Sequence, residues 1–254
     1  MVFRPLGRTG LKVSAIGLGT TKLGRNTDLK YPKSFPLPAD REVWELLETA
    51  LDTGVNLIDT APAYGDSERR LAPFVENYRE RVVLCTKAGE KYADGGSTHD
   101  FSAAAIIGSV EESLRRLRTD HVEILLLHSD GRDVEILTDT DAPEGLLNLK
   151  KSGKARAVGI SAKTHSGIFE ACGIMDVVMA PFSQKDPSLA EALQKAHAAG
   201  LGVLAIKGLF SGRLNARSAI EYVLRQPFID ALVLGTIDPA HLREAVTIAA
   251  DIHR

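Results

Sequence analysis

A chain of 254 residues with 44% hydrophobic and 25% charged positions can bury a sizeable core and lies far from the composition of disordered proteins. Its 31 Lys and Arg against 33 Asp and Glu leave a formal charge of −2, so no basic field exists to hold a phosphate backbone or an anionic membrane, and neither is an expected partner. No apolar run approaches the roughly 20 residues of a membrane span, and Met1-Val2-Phe3-Arg4-Pro5 lacks the basic-then-apolar order of a secretory signal. A cytoplasmic location is the expectation. Cys85 and Cys172 are too few and too far apart for a disulfide framework or a zinc site, and read as core residues.

Along the chain, short apolar or β-branched runs alternate with amphipathic stretches long enough to be helices. The segment from Phe3 to Val13 reads as two short strands around an Arg8-Thr9-Gly10 turn, a hairpin ahead of the first repeat. Val13 to Leu18 then precedes a helix from Ala39 to Thr53, Val55 to Ile58 precedes Ser67 to Tyr78, and Val82 to Cys85 precedes Ser102 to Arg118. Val122 to Leu127 leads to Pro143 to Ser152, Ala155 to Ile160 to Ser166 to Cys172, and Val177 to Ala180 to Ser188 to Ala199. Gly202 to Ile206 leads to Ala216 to Arg225, and Ala231 to Leu234 to Pro239 to Ile252.

Runs such as Ile124-Leu125-Leu126-Leu127 are apolar on both faces, as strands of a parallel sheet covered by helices must be. Gly54, Gly153 and Gly200 follow predicted helices, where a left-handed residue ends a helix. Eight strand–helix units in one domain spanning 1–254 predict an α/β fold, a (β/α)8 TIM barrel with an N-terminal β-hairpin and no separate Rossmann domain. The polar stretch from Gly24 to Pro38, with three prolines, reads as a solvated loop or as one wall of a pocket, because βα loops open onto the active-site face.

Ionisable residues at the carboxyl ends of barrel strands point into the site, and three successive strands supply one each: Asp59, Lys87 and His128. Tyr64 lies five residues past Asp59. Each alone has a structural explanation, but together they make a site, since a buried acid and a buried ammonium need each other. A tyrosine hydroxyl with a pKa near 10 is a poor acid. An ammonium about 4 Å away, worth ~4 kcal/mol at an effective dielectric of 20, would lower that value by at most roughly two to three units. Tyr64 is thereby expected as a general acid, with Asp59 holding Lys87 and a neutral His128 bonding the substrate oxygen. The sequence offers no Gly-x-Ser-x-Gly elbow and neither cysteine has an evident catalytic partner. The attacking species is then most simply a hydride, which implies a nicotinamide cofactor.

Gly17-Leu18-Gly19-Thr20-Thr21-Lys22-Leu23-Gly24 fails as a dinucleotide fingerprint, because its last glycine is displaced and no helix follows directly. A barrel takes phosphates on the loops after its seventh and eighth strands. Lys207-Gly208-Leu209-Phe210-Ser211-Gly212-Arg213 and Gly235-Thr236-Ile237-Asp238 occupy those places.

The stretch Ile58-Asp59-Thr60-Ala61-Pro62-Ala63-Tyr64-Gly65-Asp66-Ser67-Glu68, followed by Thr86-Lys87-Ala88-Gly89 and His128-Ser129-Asp130, resembles the aldo-keto reductases. The likeness covers almost the whole chain. It implies reduction of aldehydes or ketones, with Tyr64 as proton donor, Lys87 and Asp59 tuning it and His128 orienting the carbonyl. It implies NADPH as cofactor, with NADH as the alternative. Contacts to the cofactor are implied at Gly19, Thr20, Thr21, Asp59, Ser161, Lys207, Leu209, Ser211, Gly212, Gly235, Thr236 and His241.

The chain departs from the family pattern at the nicotinamide. Ala162 follows Ser161 where an Asn is usual, Met179 replaces a Gln, Ile206 stands where an aromatic ring often stacks, and His241 and Ala245 replace an Arg and an Asn near a 2′-phosphate. A neutral His grips a phosphate less well than Arg.

Two other readings stand beside a reductase: a barrel lyase using Lys87 as a Schiff-base nucleophile, and a cofactor-binding protein with little turnover. The substrate is expected to be a small carbonyl compound, its identity and the oligomeric state being left open. Trp44 lies in the first helix, so a pocket wall falls to Tyr31, Phe35, Tyr92 or Phe182. Only two residues follow the last predicted helix, and a pocket more open than usual in the family is the expectation.

Overall fold

The computed structural model describes residues 1–29, 34–93 and 95–252. A hairpin of β1 (Phe3–Pro5) and β2 (Lys12–Ser14) comes first, pairing Arg4 with Val13. Then follow β3 (Ile16–Gly19), α1 (Thr21–Gly24), α2 (Asp40–Asp52), β4 (Leu57–Asp59), a 3-10 turn at Pro62–Tyr64, α3 (Ser67–Tyr78) and β5 (Val83–Ala88). A second hairpin, β6 (Glu90–Ala93) and β7 (Gly96–His99), precedes α4 (Ala103–Leu117), β8 (Val122–His128), α5 (Asp133–Thr138) and α6 (Ala142–Lys151). The chain continues through β9 (Ala155–Ser161), α7 (His165–Ala171), β10 (Val177–Pro181), α8 (Ala190–Ala198), β11 (Gly202–Ile206), α9 (Ala216–Leu224), β12 (Ala231–Leu234) and α10 (Pro239–Asp251).

Strands β3, β4, β5, β8, β9, β10, β11 and β12 close in that order into a parallel barrel. The predicted (β/α)8 architecture and N-terminal hairpin are both present. Helices form where apolar positions recur at helical spacing: α2 buries Val43, Leu46, Leu47, Ala50 and Leu51 against the strands. The Glu42 carboxylate accepts from the N–H of Ala39 at 2.6 Å, satisfying an open donor at that helix start. Gly54, Gly153 and Gly200 take the left-handed conformation predicted for helix ends.

The structure differs from the sequence reading in three places. The first predicted strand divides at Ala15, whose N–H is drawn to the carbonyl of Val2 at 2.9 Å. Lys12–Ser14 therefore belongs to the hairpin and Ile16–Gly19 to the barrel. The β6–β7 hairpin has no apolar face to announce it. Helix α5 has six residues, and its buried Asp133 serves elsewhere: the carboxylate accepts from Lys163 N, Thr164 N and Thr164 Oγ1, tying the start of α7 in place.

The barrel interior is filled by Leu57, Val83, Cys85, Ile124, Leu126, Ala157, Val177, Met179, Leu204, Ala231 and Val233, and Leu6, Leu11 and Val13 of the hairpin region close its lower end. Neighbouring positions Leu84, Leu125, Leu127 and Leu232 face outward into the larger core beneath the helices. Side chains thus alternate along each strand. Continued to the carboxyl ends, this alternation aims Asp59, Lys87, His128, Ser161 and Ile206 inward as one upper layer. No described helix is long and apolar enough to cross a membrane.

The turn carrying Tyr64 rests against α1 at a near contact of two glycines. A Cβ on Gly24 would lie 2.2 Å from Tyr64 O and Ser67 N, and one on Gly65 would lie 2.2 Å from Gly24 O. Gly108, on the exposed face of α4, has nothing within 4 Å of such a Cβ. Gly24→Ala should therefore destabilise the protein by about 1–3 kcal/mol through overpacking. Gly108→Ala should stabilise it by about 0.4–1 kcal/mol through lost unfolded-state entropy. Urea unfolding of both variants checks this pair, and equal effects would contradict the packing argument.

Candidate active site

Asp59 and Lys87 end adjacent strands whose register pairs Asp59 with Cys85, one alternation step below Lys87. The Lys87 ammonium donates to Asp59 Oδ1 at 2.5 Å and to the carbonyl of Thr60 at 2.9 Å. Both side chains are almost wholly buried, at 1% and 4% exposure. Desolvation works against the Lys87 charge, but the Asp59 carboxylate, with smaller help from Tyr64 and Cys85, outweighs it and moves the pKa above the ordinary lysine value. Lys87 is a fixed ammonium.

The Pro62–Tyr64 turn is held by the residues that follow it. Ser67 Oγ lies 2.7 Å from Thr20 Oγ1, 3.0 Å from Thr20 O and 3.1 Å from Thr60 Oγ1. Thr20 Oγ1 in turn donates to the carbonyl of Asp59 at 2.9 Å. The fully buried Glu68 accepts from Thr86 Oγ1 at 2.7 Å and from Arg116 Nε at 2.8 Å, joining α3 to β5 and α4. The Ser67-Glu68 part of the sequence motif is thus a clamp for the tyrosine turn.

Tyr64 packs its ring edge-on to His128, with centroids 6.0 Å apart, and Lys87 Nζ is 4.8 Å from the centre of the ring. Its acidity corrects the sequence expectation. Burial of the hydroxyl is the largest influence and raises the pKa above 10.0; Lys87 and a hydrogen bond from Thr21 lower it, but Asp59 opposes them. The ammonium spends its charge on Asp59, so Tyr64 keeps its proton at neutral pH.

His128 Nδ1 lies 2.7 Å from Glu90 Oε2. The carboxylate stands out of line with the ring N–H direction, so the buried Nδ1 has no aligned hydrogen bond in this conformation. Burial disfavours the imidazolium most, Glu90 favours it, and the balance leaves His128 below the ordinary value of 6.5. For Glu90 burial acts to raise the pKa, but His128, then Ser97 and His99, outweigh it and hold the carboxyl at about 2. Sequence reasoning missed Glu90, although it lies three positions beyond Lys87 on the chain leaving β5.

The residues predicted to hold a nicotinamide cofactor lie around the same rim. Gly19, Thr20 and Thr21 follow β3, although the Thr20 hydroxyl is engaged inside the fold. Ser161 ends β9 opposite both His128 and Met179 in the register; it is 6% exposed and its hydroxyl makes no hydrogen bond among the described residues. Met179 is buried in the barrel interior, and the Ala162 N–H already donates to its carbonyl at 2.8 Å. Ile206 packs at the top of that interior cluster.

In the loop holding Lys207, Leu209, Ser211 and Gly212, three non-glycine residues, Lys207, Phe210 and Ser211, have positive φ, between 49° and 59°. Such backbone strain clusters at ligand-binding loops. Gly235 and Thr236 form the turn before α10, where Thr236 Oγ1 accepts from Asp238 N at 3.0 Å. His241 is 70% exposed, and its Nδ1 lies 3.7 Å from Asp238 Oδ2.

Of the predicted pocket-wall aromatics, Tyr31 lies outside the described residues. Phe182 is a correction: it is 1% exposed and stacks on Tyr222 in the core. Tyr92 and the 24–38 loop meet, with the Arg25 guanidinium 3.4 Å above the ring centre and the Tyr92 hydroxyl 2.5 Å from Asp28 Oδ2. Lys22 Nζ lies 5.0 Å over the Phe35 ring.

The aldo/keto reductase family matches residues 15–221. Among curated proteins, L-galactose dehydrogenase of Arabidopsis thaliana is 31% identical over 233 residues, covering 86% of this chain and 69% of that protein. The NADH-specific methylglyoxal reductase of Escherichia coli is 30% identical over 242 residues, covering 86% of this chain and 71% of that protein. A crystal structure from Pseudomonas aeruginosa, assigned to the aldo-keto reductases, superposes with a TM-score of 0.92 at 42% identity, over 99% of this chain and 95% of the other. With the closed barrel and the four side chains at its carboxyl rim, these likenesses establish that the chain belongs to the aldo/keto reductase family.

Proposed function

We propose that the protein is an NAD(P)H-dependent reductase of a small aldehyde or ketone, with Tyr64 as the proton donor. The observation that carries this reading is the charge state of the site: Lys87 fixed as an ammonium by Asp59, beside a phenol that retains its proton. A donor of this kind lowers the barrier as negative charge develops on a carbonyl oxygen. His128, edge-on to the Tyr64 ring, is the second group for that oxygen. The fixed ammonium also argues against Lys87 as a Schiff-base nucleophile, which must be a free amine.

The rim fits a nicotinamide in its donor set: the unused Ser161 hydroxyl beside His128, the left-handed loop 207–212, and the start of α10. When bound, a reduced nicotinamide supplies a hydride to the carbonyl carbon. Ile206 would support the ring by apolar contact, while Ala162 and Met179 offer it no side-chain amide. That lack favours a second reading, a cofactor-binding protein with little turnover. Parallel fluorescence titrations with NADPH and NADH, followed by turnover assays over a panel of aldehydes and ketones, separate the two.

Tyr64→Phe should lower kcat of carbonyl reduction by about 10²–10⁴-fold with cofactor affinity retained; an unchanged rate would remove Tyr64 as proton donor. The exposed His241, beside Asp238, carries no fixed charge for a 2′-phosphate. NADPH is kept as the cofactor on family resemblance, and an NADH-specific relative makes NADH the alternative. His241→Arg should strengthen NADPH binding by about tenfold, the worth of one charge-assisted contact, and leave NADH binding unchanged. Equal changes for both cofactors in the titration would show that position 241 does not meet the phosphate.

A further inference from the structure

The wall beside Tyr64 and His128 carries a carboxylate that the reductase chemistry does not use. Gly89, at a φ of 102°, turns the chain out of β5, and β6 then packs along the Pro62–Tyr64 turn. Along β6, Glu90 and Tyr92 are half-buried while Lys91 and Ala93 are exposed, so Glu90 and Tyr92 share the inward face. Glu90 Oε2 reaches to 2.7 Å from His128 Nδ1, and Oε1 accepts from Ser97 Oγ at 2.5 Å. Such a bond favours the ionised form of a carboxyl whose ordinary pKa is already near 4.3.

No lysine or arginine among the described residues forms an ion pair with Glu90; its one such neighbour is His128. The Arg25 guanidinium, on the same wall, is committed elsewhere. It lies 3.4 Å over the Tyr92 ring, donates to Thr27 O at 3.0 Å and Ala63 O at 3.3 Å, and has Asp28 Oδ2 4.0 Å away. Lys87 is held by Asp59. The described part of the wall thus sets two carboxylates, Glu90 and Asp28, against one guanidinium.

We propose that Glu90 is a specificity-determining residue whose carboxylate selects uncharged carbonyl substrates and turns away those with an anionic group next to the carbonyl, such as 2-oxo acids. This rests on the reductase reading above and names a substrate class for it. The Glu90 charge lies within roughly 8 Å of an oxygen held at the far nitrogen of His128. At an effective dielectric of 20, a second negative charge at that distance costs about tenfold or more in binding.

Phenylglyoxylate and its methyl ester differ by one charge beside the reacting carbon and serve as the test pair. Wild-type protein should reduce the ester with a kcat/KM at least about tenfold above that of the acid, and Glu90→Gln should narrow that ratio by about tenfold. High salt should narrow the wild-type ratio in the same direction, a reading that stands even if the variant fails to fold. Equal rates in wild-type protein, or a ratio moved by neither the substitution nor salt, would overturn the proposal. So would a preference for the acid, which would show that Lys22, 5.0 Å over the Phe35 ring, sets the charge of the entrance instead. Absence of turnover with either probe and with the wider carbonyl panel would refute the reductase reading separately. Saturation-transfer NMR of the same two probes then decides the charge selection. Tighter binding of the ester, lost in Glu90→Gln, would uphold it, and equal binding or none would overturn it.

Discussion

The buried pair of Asp59 and Lys87 is the constraint on which the site depends. Neither charge could stay ionised in the barrel alone, and removing one partner from such a pair costs about 3–5 kcal/mol because the other is left uncompensated. The pair binds β4 to β5, and the bond from Lys87 to the carbonyl of Thr60 also fixes the first residue of the segment leading to Tyr64. One ammonium thus sets both the geometry of the turn and the charge beside the phenol. Because that charge is mostly answered by Asp59, Tyr64 is left as a hydrogen-bond donor with its proton in place.

Around this pair the fold supplies rigidity at little conformational expense. Strand alternation delivers the inward layer, and the Ser67, Thr20 and Thr60 hydroxyls and the Glu68–Arg116 pair lock the tyrosine turn from behind. The glycine contact between α1 and the turn brings the backbone of residue 24 against Tyr64. These groups touch no reacting atom in the proposed chemistry; they hold the atoms that do. A site on strand ends, braced by a second layer of hydrogen bonds, keeps its geometry better than one on free loops.

Much of this was legible in the sequence because it follows from period and chemistry. Doubly apolar runs such as Ile124 to Leu127 announce a covered parallel strand, and an acid, a lysine and a histidine at successive strand ends announce a site. The polar β6–β7 hairpin was not legible, since Glu90 to His99 presents no apolar face, and Glu90 was missed with it. The acidity of Tyr64 was misjudged for a different reason. A pairwise estimate counts the attraction of one ammonium, while the folded site adds desolvation and an opposing carboxylate, both of which depend on burial that spacing alone does not reveal. Phe182 reads as a candidate for a pocket wall in the sequence, but its ring is buried and stacks on Tyr222.

The central claim is that Tyr64 remains a protonated donor while Lys87 remains an ammonium. The measurement that tests it most directly is an ultraviolet difference titration of tyrosinate formation, wild-type protein minus Tyr64→Phe, which isolates this one phenol among the five tyrosines. Tyr64 should ionise above pH 10.0, the ordinary tyrosine value. Ionisation below that value would show that Lys87, rather than burial and Asp59, sets its acidity, and would contradict the account.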